Sequence, residues 1–215
     1  MVQRLRIRFS RGEEVKHISH LDLMRLWQRA LIRSGIALAY SEGFNPHPKM
    51  SLAAPLAVGV TSDAELMDII LAKPVSPHNF TAALNQQLPA GIRISQVQAV
   101  GQTLPSLPAQ VRFAEYEVEV ETPKKPEEVE AMVRSLLSLD KLPWEHQRDT
   151  GPKRYDLRAL IDDIWLIDCQ EGIGILGMRL RCDNSGSGRP EQVANALGFD
   201  GHPRVMHRTR LVLGN

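Results

Sequence analysis

The sequence has few cysteines, no long apolar run and no large excess of one charge. Its 215 residues include two cysteines, Cys169 and Cys182, each in an apolar, strand-like run. Two cysteines are too few for a disulfide framework or a four-cysteine metal site, so we expect two reduced thiols. No apolar stretch reaches the roughly 18 residues of a membrane helix, and the N-terminal segment alternates arginine with apolar residues, unlike a signal peptide. We therefore expect a cytoplasmic protein without membrane contact.

The charge is nearly balanced overall but uneven along the chain. The 26 Lys and Arg and 25 Asp and Glu give a net charge of +1. Residues 1–105 hold 11 basic and 7 acidic residues, whereas residues 106–215 hold 15 basic and 18 acidic ones. A dedicated nucleic-acid binder usually has a more basic surface. The composition therefore permits RNA binding but does not require it.

Hydrophobic periodicity predicts a strand over residues 3–9 and a helix over residues 19–34. The strand has one apolar face and one face of arginines. Ser19 and Asp22 have the spacing of a capping box, in which each side chain bonds the other residue's backbone N–H. Gly35 stands where a C-terminal cap is expected. The residues of the apolar helix face are Leu23, Trp27, Ala30 and Leu31.

The remaining segments give both halves a similar order of strands and helices. A proline-containing linker is predicted at residues 103–110. The order predicts an α+β protein of two tandem ferredoxin-like (βαββαβ) units, residues 1–104 and 111–215. The predicted strands are 36–40, 51–58, 66–71, 92–100, 113–120, 142–147, 157–167, 173–181 and 204–213, and the further helices are 77–88, 127–139 and 190–197.

Six of the twelve histidines and arginines of residues 1–105 lie in residues 17–49, and the basic side chains there are candidates for phosphate binding. Arg25, Arg29 and Arg33 share a helix face with Asp22, and Lys49 would join them if the following loop folds back over the helix start. Arginine forks bind phosphate oxygens, and a helix N-terminus adds oriented N–H groups. A solvated helix face with local ion pairs explains the same pattern, and the sequence leaves both interpretations open.

The loop of residues 41–49 is unusual in composition. It places Glu42, Asn45, His47 and Lys49 among two prolines, which restrict the backbone and predict a rigid recognition loop. In the alternative interpretation the loop is a structural crossover, and Phe44 fills a gap in the core.

Three histidines, His17, His20 and His47, flank the first helix and this loop. A zinc site would need a third ligand that nothing in the sequence marks, so we predict no metal and no cofactor. His20 and His47 are the candidate catalytic residues, because a histidine can act as a general base in RNA cleavage. In the second half, residues 153–158 form a short basic patch, which fits a phosphate, a partner protein or a solvated turn.

The block from His17 to Val60 carries a family resemblance. Its segments SHLDLMR, YSEGFNPHPK and PLAVG resemble motifs of the radical SAM-linked protein family. A weaker likeness continues in KRYDLRALI near Lys153. Members of that family are encoded beside, or fused to, an uncharacterised radical SAM protein, often near ribonuclease E/G and ribosomal protein genes. The chain has no Cys-x3-Cys-x2-Cys cluster motif. The resemblance therefore implies an accessory protein whose partner is the radical SAM protein.

The resemblance and the basic residues together predict a noncatalytic module that binds RNA, ribosomal or transfer RNA, or another substrate for a radical SAM partner. One alternative is a His-dependent endoribonuclease or other hydrolase, because the tandem layout is similar to that of CRISPR repeat-processing enzymes. The chain lacks the glycine-rich loop near the C-terminus that such enzymes carry. A second alternative is a structural subunit that only binds its partner.

Overall fold

The computed structural model describes residues 2–146, 151–199 and 201–214. The fold is mixed α+β, as predicted, with extensive sheet and few helices. It divides into two compact units, Met1–Val111 with Leu213–Asn215 and Arg112–Val212, where the sequence predicts domains at 1–104 and 111–215. No described helix is long and apolar enough to cross a membrane.

The first unit contains a four-stranded sheet and two main helices. The strands lie in the order β2-β3-β1-β4, and each strand is antiparallel to its neighbours. A 3-10 turn at Glu13–Val15 follows β1. The elements are β1 (Gln3–Arg11), α1 (His20–Arg33), β2 (Met50–Leu52), β3 (Thr61–Leu71), α2 (Pro77–Asn85), β4 (Ile92–Val100) and the one-turn helix α3 (Leu107–Gln110).

The second unit has a similar sheet with a short hairpin inserted before β8. Both β8 and β10 pair with β9, which pairs with β5, and β5 pairs with β11. Strands β6 and β7 form a separate hairpin. The elements are β5 (Val111–Glu121), α4 (Pro126–Leu137), β6 (Pro143–His146), β7 (Lys153–Asp156), β8 (Ile161–Gln170), β9 (Ile173–Asp183), β10 (Gly186–Ser187), α5 (Pro190–Ala196) and β11 (Val205–Leu213).

The core of the first unit lies between its sheet and α1. The apolar face of β1 and the apolar face of α1 are buried, which confirms both periodicity predictions. The rings of Phe9 and Trp27 meet edge to face, with their centroids 5.0 Å apart. Burial of apolar surface stabilises the unit and leaves the opposite face of α1 exposed to solvent.

Both ends of α1 are capped as the sequence predicts, with one difference in the hydrogen bonds at its N-terminus. The hydroxyl of Ser19 accepts a hydrogen bond from the Asp22 backbone N–H at 3.2 Å, as a capping box predicts. The Asp22 carboxylate, however, accepts from the Ser19 hydroxyl at 2.7 Å, where we predicted a bond from the Ser19 backbone N–H. Gly35 has a φ of +72°, the left-handed conformation of a helix C-terminal cap, which confirms its predicted role.

Three strand predictions are wrong in whole or in part. Of the strand predicted at 51–58, only residues 51 and 52 lie in a strand, β2. Residues 36–40 form no regular strand; Leu38 and Tyr40 make only isolated bridges, to Leu71 and Pro48. The strand predicted from residue 157 begins at Ile161, because Arg158–Leu160 form a 3-10 turn. The linker is ordered in part by α3, whose Leu107 is fully buried. In the strand predicted at 142–147, Gln147 lies outside the described residues.

The arginine face of β1 is not the exposed row that the sequence suggests. Arg4 and Arg6 are buried, and both donate to the carboxylate of Asp68. Arg6 and Asp68 are direct cross-strand partners in the β1–β3 ladder. Buried charges require such compensation, so these arginines have a structural role.

The two cysteines are not joined in a disulfide. Cys182 is buried and Cys169 is half-buried.

Candidate functional site

Three arginines of α1 line one groove of the first unit. The groove has a volume of about 460 Å³, within the usual range for ligand sites. Arg25, Arg29 and Arg33 come from α1, and the facing wall comes from the segment after α2. The lining residues are Ile18, Asp22, Arg25, Leu26, Arg29, Arg33, Gln87, Leu88 and Pro89.

The outer two arginines are held by neighbouring side chains. Arg25 Nη1 lies 3.2 Å from Asp22 Oδ1 on the preceding turn. Arg33 donates from Nε to Gln87 Oε1 at 3.1 Å and from Nη2 to the Gln87 carbonyl at 2.7 Å. Arg29, between them, makes no hydrogen bond or ion pair within the described part of the chain. Its guanidinium is therefore available to a ligand.

The groove keeps a positive charge at neutral pH. The Ser19 hydroxyl, followed by the guanidinium groups of Arg25 and Arg29, lowers the pKa of the Asp22 carboxyl below its ordinary value of 3.8. Asp22 is consequently ionised at neutral pH and offsets one of the three arginines. The described lining then carries a net charge of +2, which attracts anions.

The arginines form a line along an apolar wall. Successive arginines are four residues apart, which places one guanidinium about every 6 Å along the helix axis. Leu26, Leu88 and Pro89 supply the apolar surface beside them. A line of cations beside an apolar wall suits a linear polyanion with apolar parts, such as a single strand of nucleic acid.

Arg11 fixes the segment that leads into this groove. It is 1% exposed and donates to the carbonyl oxygens of Val15 and Lys16, at 3.2 and 3.1 Å, and to that of Ile18. These bonds hold the backbone that ends in Ile18, one of the groove residues. Sequence reasoning missed Arg11, because nothing in an alternating strand indicates which arginine will be buried.

The predicted loop residues lie outside the groove. Glu42, Asn45 and His47 are exposed in the 41–49 loop, and none of them is among the described groove residues. Lys49 lines a different cavity of about 360 Å³, together with Arg4 and Asp68. The structure therefore brings the three helix arginines together and separates them from Lys49.

The three histidines lie outside the described groove. His17, His20 and His47 are exposed, and none lines the described groove. In the described residues no three His, Cys, Asp or Glu side chains are placed to hold a metal ion. The His47 backbone N–H donates to Ser41 Oγ at 2.9 Å, which fixes the loop and not the imidazole.

The basic patch at residues 153–158 is occupied by local contacts. Arg154 Nε donates to Glu145 Oε2 at 2.6 Å across the β6–β7 hairpin. Arg158 donates to the carbonyl oxygens of Ile161 and Leu137 at 2.7 and 3.1 Å. These contacts give both arginines structural roles.

Three solved structures align with the chain over most of its length. A chain of a Cbf5-Nop10-Gar1 complex aligns with a TM-score of 0.53 and 9% identity over 96% of this chain and 48% of that chain. A chain of the archaeal box H/ACA sRNP Nop10-Cbf5 complex aligns with a TM-score of 0.49 and 10% identity over 97% and 48% of the two chains. A chain of an H/ACA RNP bound to a substrate RNA containing 2′-deoxyuridine aligns with a TM-score of 0.49 and 9% identity over 96% and 47%.

The structural comparisons concern fold alone, because the identities are so low. The chain spans about half the length of the chains that it matches. None of the curated proteins matches the sequence. A family model described as an uncharacterised protein conserved in bacteria, DUF2344, matches residues 4–190.

Proposed function

We propose that this chain, which belongs to the DUF2344 family of uncharacterised proteins conserved in bacteria, binds single-stranded RNA along the groove of Arg25, Arg29 and Arg33. One observation carries the proposal. The Arg29 guanidinium makes no hydrogen bond or ion pair with the described residues, and it lies between two arginines that neighbouring residues hold in place. Held arginines lose little side-chain entropy on binding, and the free one can form a bidentate bond to a phosphate.

RNA fits this groove better than a single small anion does. Three cations in a line contact successive phosphates of an extended strand, whereas an isolated phosphate would use one or two of them. The apolar wall can receive ribose or base surface. We propose ribosomal or transfer RNA as the source of that strand.

The test is the double variant Arg25→Ala with Arg29→Ala, measured by anisotropy with a labelled single-stranded RNA. A hydrogen bond to a charged group contributes about 1.5–3 kcal/mol before solvent screening, so we expect affinity to fall by at least about tenfold. The logarithmic salt slope should change from about −2 to about −0.7, because about 0.7 counterions are released per phosphate contact on single strands. Asp22→Asn should act in the opposite direction and tighten binding.

The matched control is Arg134→Ala with Arg204→Ala. Both arginines are exposed and lie in the second unit, and their removal changes the net charge by the same amount. Equal losses of affinity in the two double variants would show that binding follows net charge, and the groove would then not be the RNA-binding site. Wild-type binding that is absent or insensitive to salt would overturn RNA binding itself.

We propose that the chain performs no chemistry on the RNA. A general base requires a partner that orients it and a substrate proton within hydrogen-bond reach. His20 lies exposed at the first position of α1, and its imidazole makes no hydrogen bond within the described residues. Labelled RNA incubated with the wild-type chain should therefore be recovered at full length in the binding experiment.

The proposed partner is a radical SAM protein, and the support is the sequence resemblance of the block from His17 to Val60. An accessory chain should form a complex with that protein, and RNA should join the complex through the groove. Size-exclusion chromatography of the mixture tests this. If the double variant Arg25→Ala with Arg29→Ala still coelutes with the partner, the partner contact is separate from RNA binding. Elution of the wild-type chain and the radical SAM protein as two separate proteins would contradict the proposed complex.

We also propose that each unit is ferredoxin-like. The support in the first unit is the βαββαβ order with strands in the arrangement β4-β1-β3-β2. The second unit gives the corresponding arrangement β11-β5-β9-β8 once the β6–β7 hairpin and β10 are set aside.

A further inference from the structure

The 41–47 loop is closed at its base by backbone hydrogen bonds. Ser41 N–H donates to the His47 carbonyl at 2.8 Å, and the His47 N–H donates to Ser41 Oγ at 2.9 Å. One step further out, Lys49 N–H donates to the Ala39 carbonyl at 2.8 Å. These bonds and Pro46 restrict the two ends of the loop, on either side of its tip.

An aromatic ring stands at this tip. Phe44 is fully exposed, at 106% of the reference area, so it does not fill the core as the alternative interpretation of the loop required. Gly43, just before it, has a φ of +116°, a conformation that side chains disfavour and that turns the chain at this point. Tyr40 at the loop base is also exposed, at 42%. A large aromatic ring held in water on a restricted loop offers its whole face to a binding partner.

We infer that Phe44 is a stacking platform for an unpaired nucleobase. This inference rests on the proposed RNA binding and deepens it, because stacking requires single-stranded RNA with its bases turned outward. Polar residues that precede and follow Phe44 in the loop suit base edges. Glu42 is an acceptor for base amino groups, and the Asn45 amide is both donor and acceptor.

The length of chain between the groove and the ring sets the length of RNA that is needed to reach both. Phe44 follows Arg33, the last arginine of the groove, by eleven residues, which limits their separation to about 40 Å of extended chain. A strand of about 12 nucleotides covers that length even at the duplex rise of 3.4 Å per nucleotide. The groove then binds the phosphates, and the loop binds a base.

The chemistry of the tip favours a base over the apolar pocket of a partner protein. A protein hot spot usually surrounds its aromatic anchor with further apolar residues that exclude water. Here the immediate neighbours of Phe44 are a glycine and an asparagine, with Glu42 and Pro46 next to them, all exposed. The face of the Phe44 ring can stack on the face of a nucleobase, and the polar residues of the loop can bond the edges of that base.

The experiment compares two probes with the full chain. The first probe is a labelled 12-nucleotide oligouridylate, and the second is inorganic polyphosphate, which has the charges but no bases. Phe44→Ala should weaken oligouridylate binding by about tenfold, in the range of one base–aromatic stack, and should leave polyphosphate binding unchanged. Phe44→Tyr should restore binding. Phe44→Trp should add fluorescence that oligouridylate quenches and polyphosphate does not.

The outcomes separate this inference from the proposed function. Val58→Ala, which removes exposed apolar surface elsewhere in the first unit, is the matched control and should change neither affinity. If Phe44→Ala leaves the RNA affinity unchanged, the stacking inference is wrong and the proposed RNA binding in the groove still stands. Equal losses for RNA and polyphosphate would also overturn stacking. Failure of the wild type to bind either probe would overturn both proposals.

Discussion

Replacing Asp68 with asparagine is expected to lower the free energy of unfolding by about 3–5 kcal/mol, the usual cost of removing one partner from a buried ion pair. The Asp68 carboxylate accepts from Arg4 Nε and Nη2 at 3.0 and 2.5 Å. It accepts from Arg6 Nε and Nη2 at 2.8 and 3.1 Å. Its loss would leave two buried guanidinium groups without a counter-charge.

The same change would loosen the segment that precedes the second unit. Arg4 also donates to the carbonyl oxygens of Leu104 and Pro105 at 2.8 and 2.9 Å. Arg6 donates to Gln110 Oε1 at 3.3 Å. Since Asp68 holds both guanidinium groups in position, its removal should also weaken these contacts.

Urea unfolding of the Asp68→Asn variant, followed by circular dichroism, measures the effect. Asp63→Asn is the control, because Asp63 lies on the same strand but is exposed. The triple change Arg4→Met, Arg6→Leu and Asp68→Met should recover much of the lost stability, since a well-packed apolar group avoids the cost of desolvation. An Asp68→Asn variant within about 1 kcal/mol of the wild type would contradict a structural role for this cluster.

Trp27→Ala is expected to cost about 3–5 kcal/mol, because it leaves a large cavity between α1 and the sheet. Trp27 is fully buried and packs on Phe9. Loss of its ring removes the main apolar anchor of α1. The groove arginines stand on the solvent side of the same helix, so RNA affinity should fall together with stability.

The control for this variant is Trp165→Ala. Trp165 is 38% exposed and its ring lies over Gly177 on β9, so less buried surface is lost. Urea unfolding of both variants gives the comparison. A cost for Trp27→Ala no larger than that for Trp165→Ala would show that α1 does not depend on this contact.

Much of the secondary structure could be predicted from the sequence. The strand at Ile92–Val100 and the apolar face of α1 are confirmed. Caps and periodicity act over about four residues, and that short range is visible in one sequence. The segment at 36–40 was mispredicted because its backbone bonds β3 only at the end of that strand, through Ala39 N–H to the Ile70 carbonyl and Ala72 N–H to the Ala37 carbonyl, which is too short a pairing for a regular strand.

The candidate site could be predicted only in part. The shared face of Arg25, Arg29 and Arg33 follows from helical spacing. The facing wall comes from Leu88 and Pro89, more than fifty residues later in the chain, and no local pattern connects it to α1. Sequence reasoning also placed Lys49 with these arginines, because it could not determine the path of the loop.

The sequence by itself determined where most of the helices and strands form and which faces they bury, because caps, turns and apolar periodicity depend on near neighbours. The tertiary structure decided which charged side chains stay accessible to a ligand. In the β1–β3 register Arg6 stands opposite Asp68, which buries an arginine that sequence alone assigns to the surface. Arg29 and Phe44 stay exposed, because no distant segment among the described residues covers either side chain. Partners that are tens of residues apart are selected by strand pairing and packing, which no local pattern encodes.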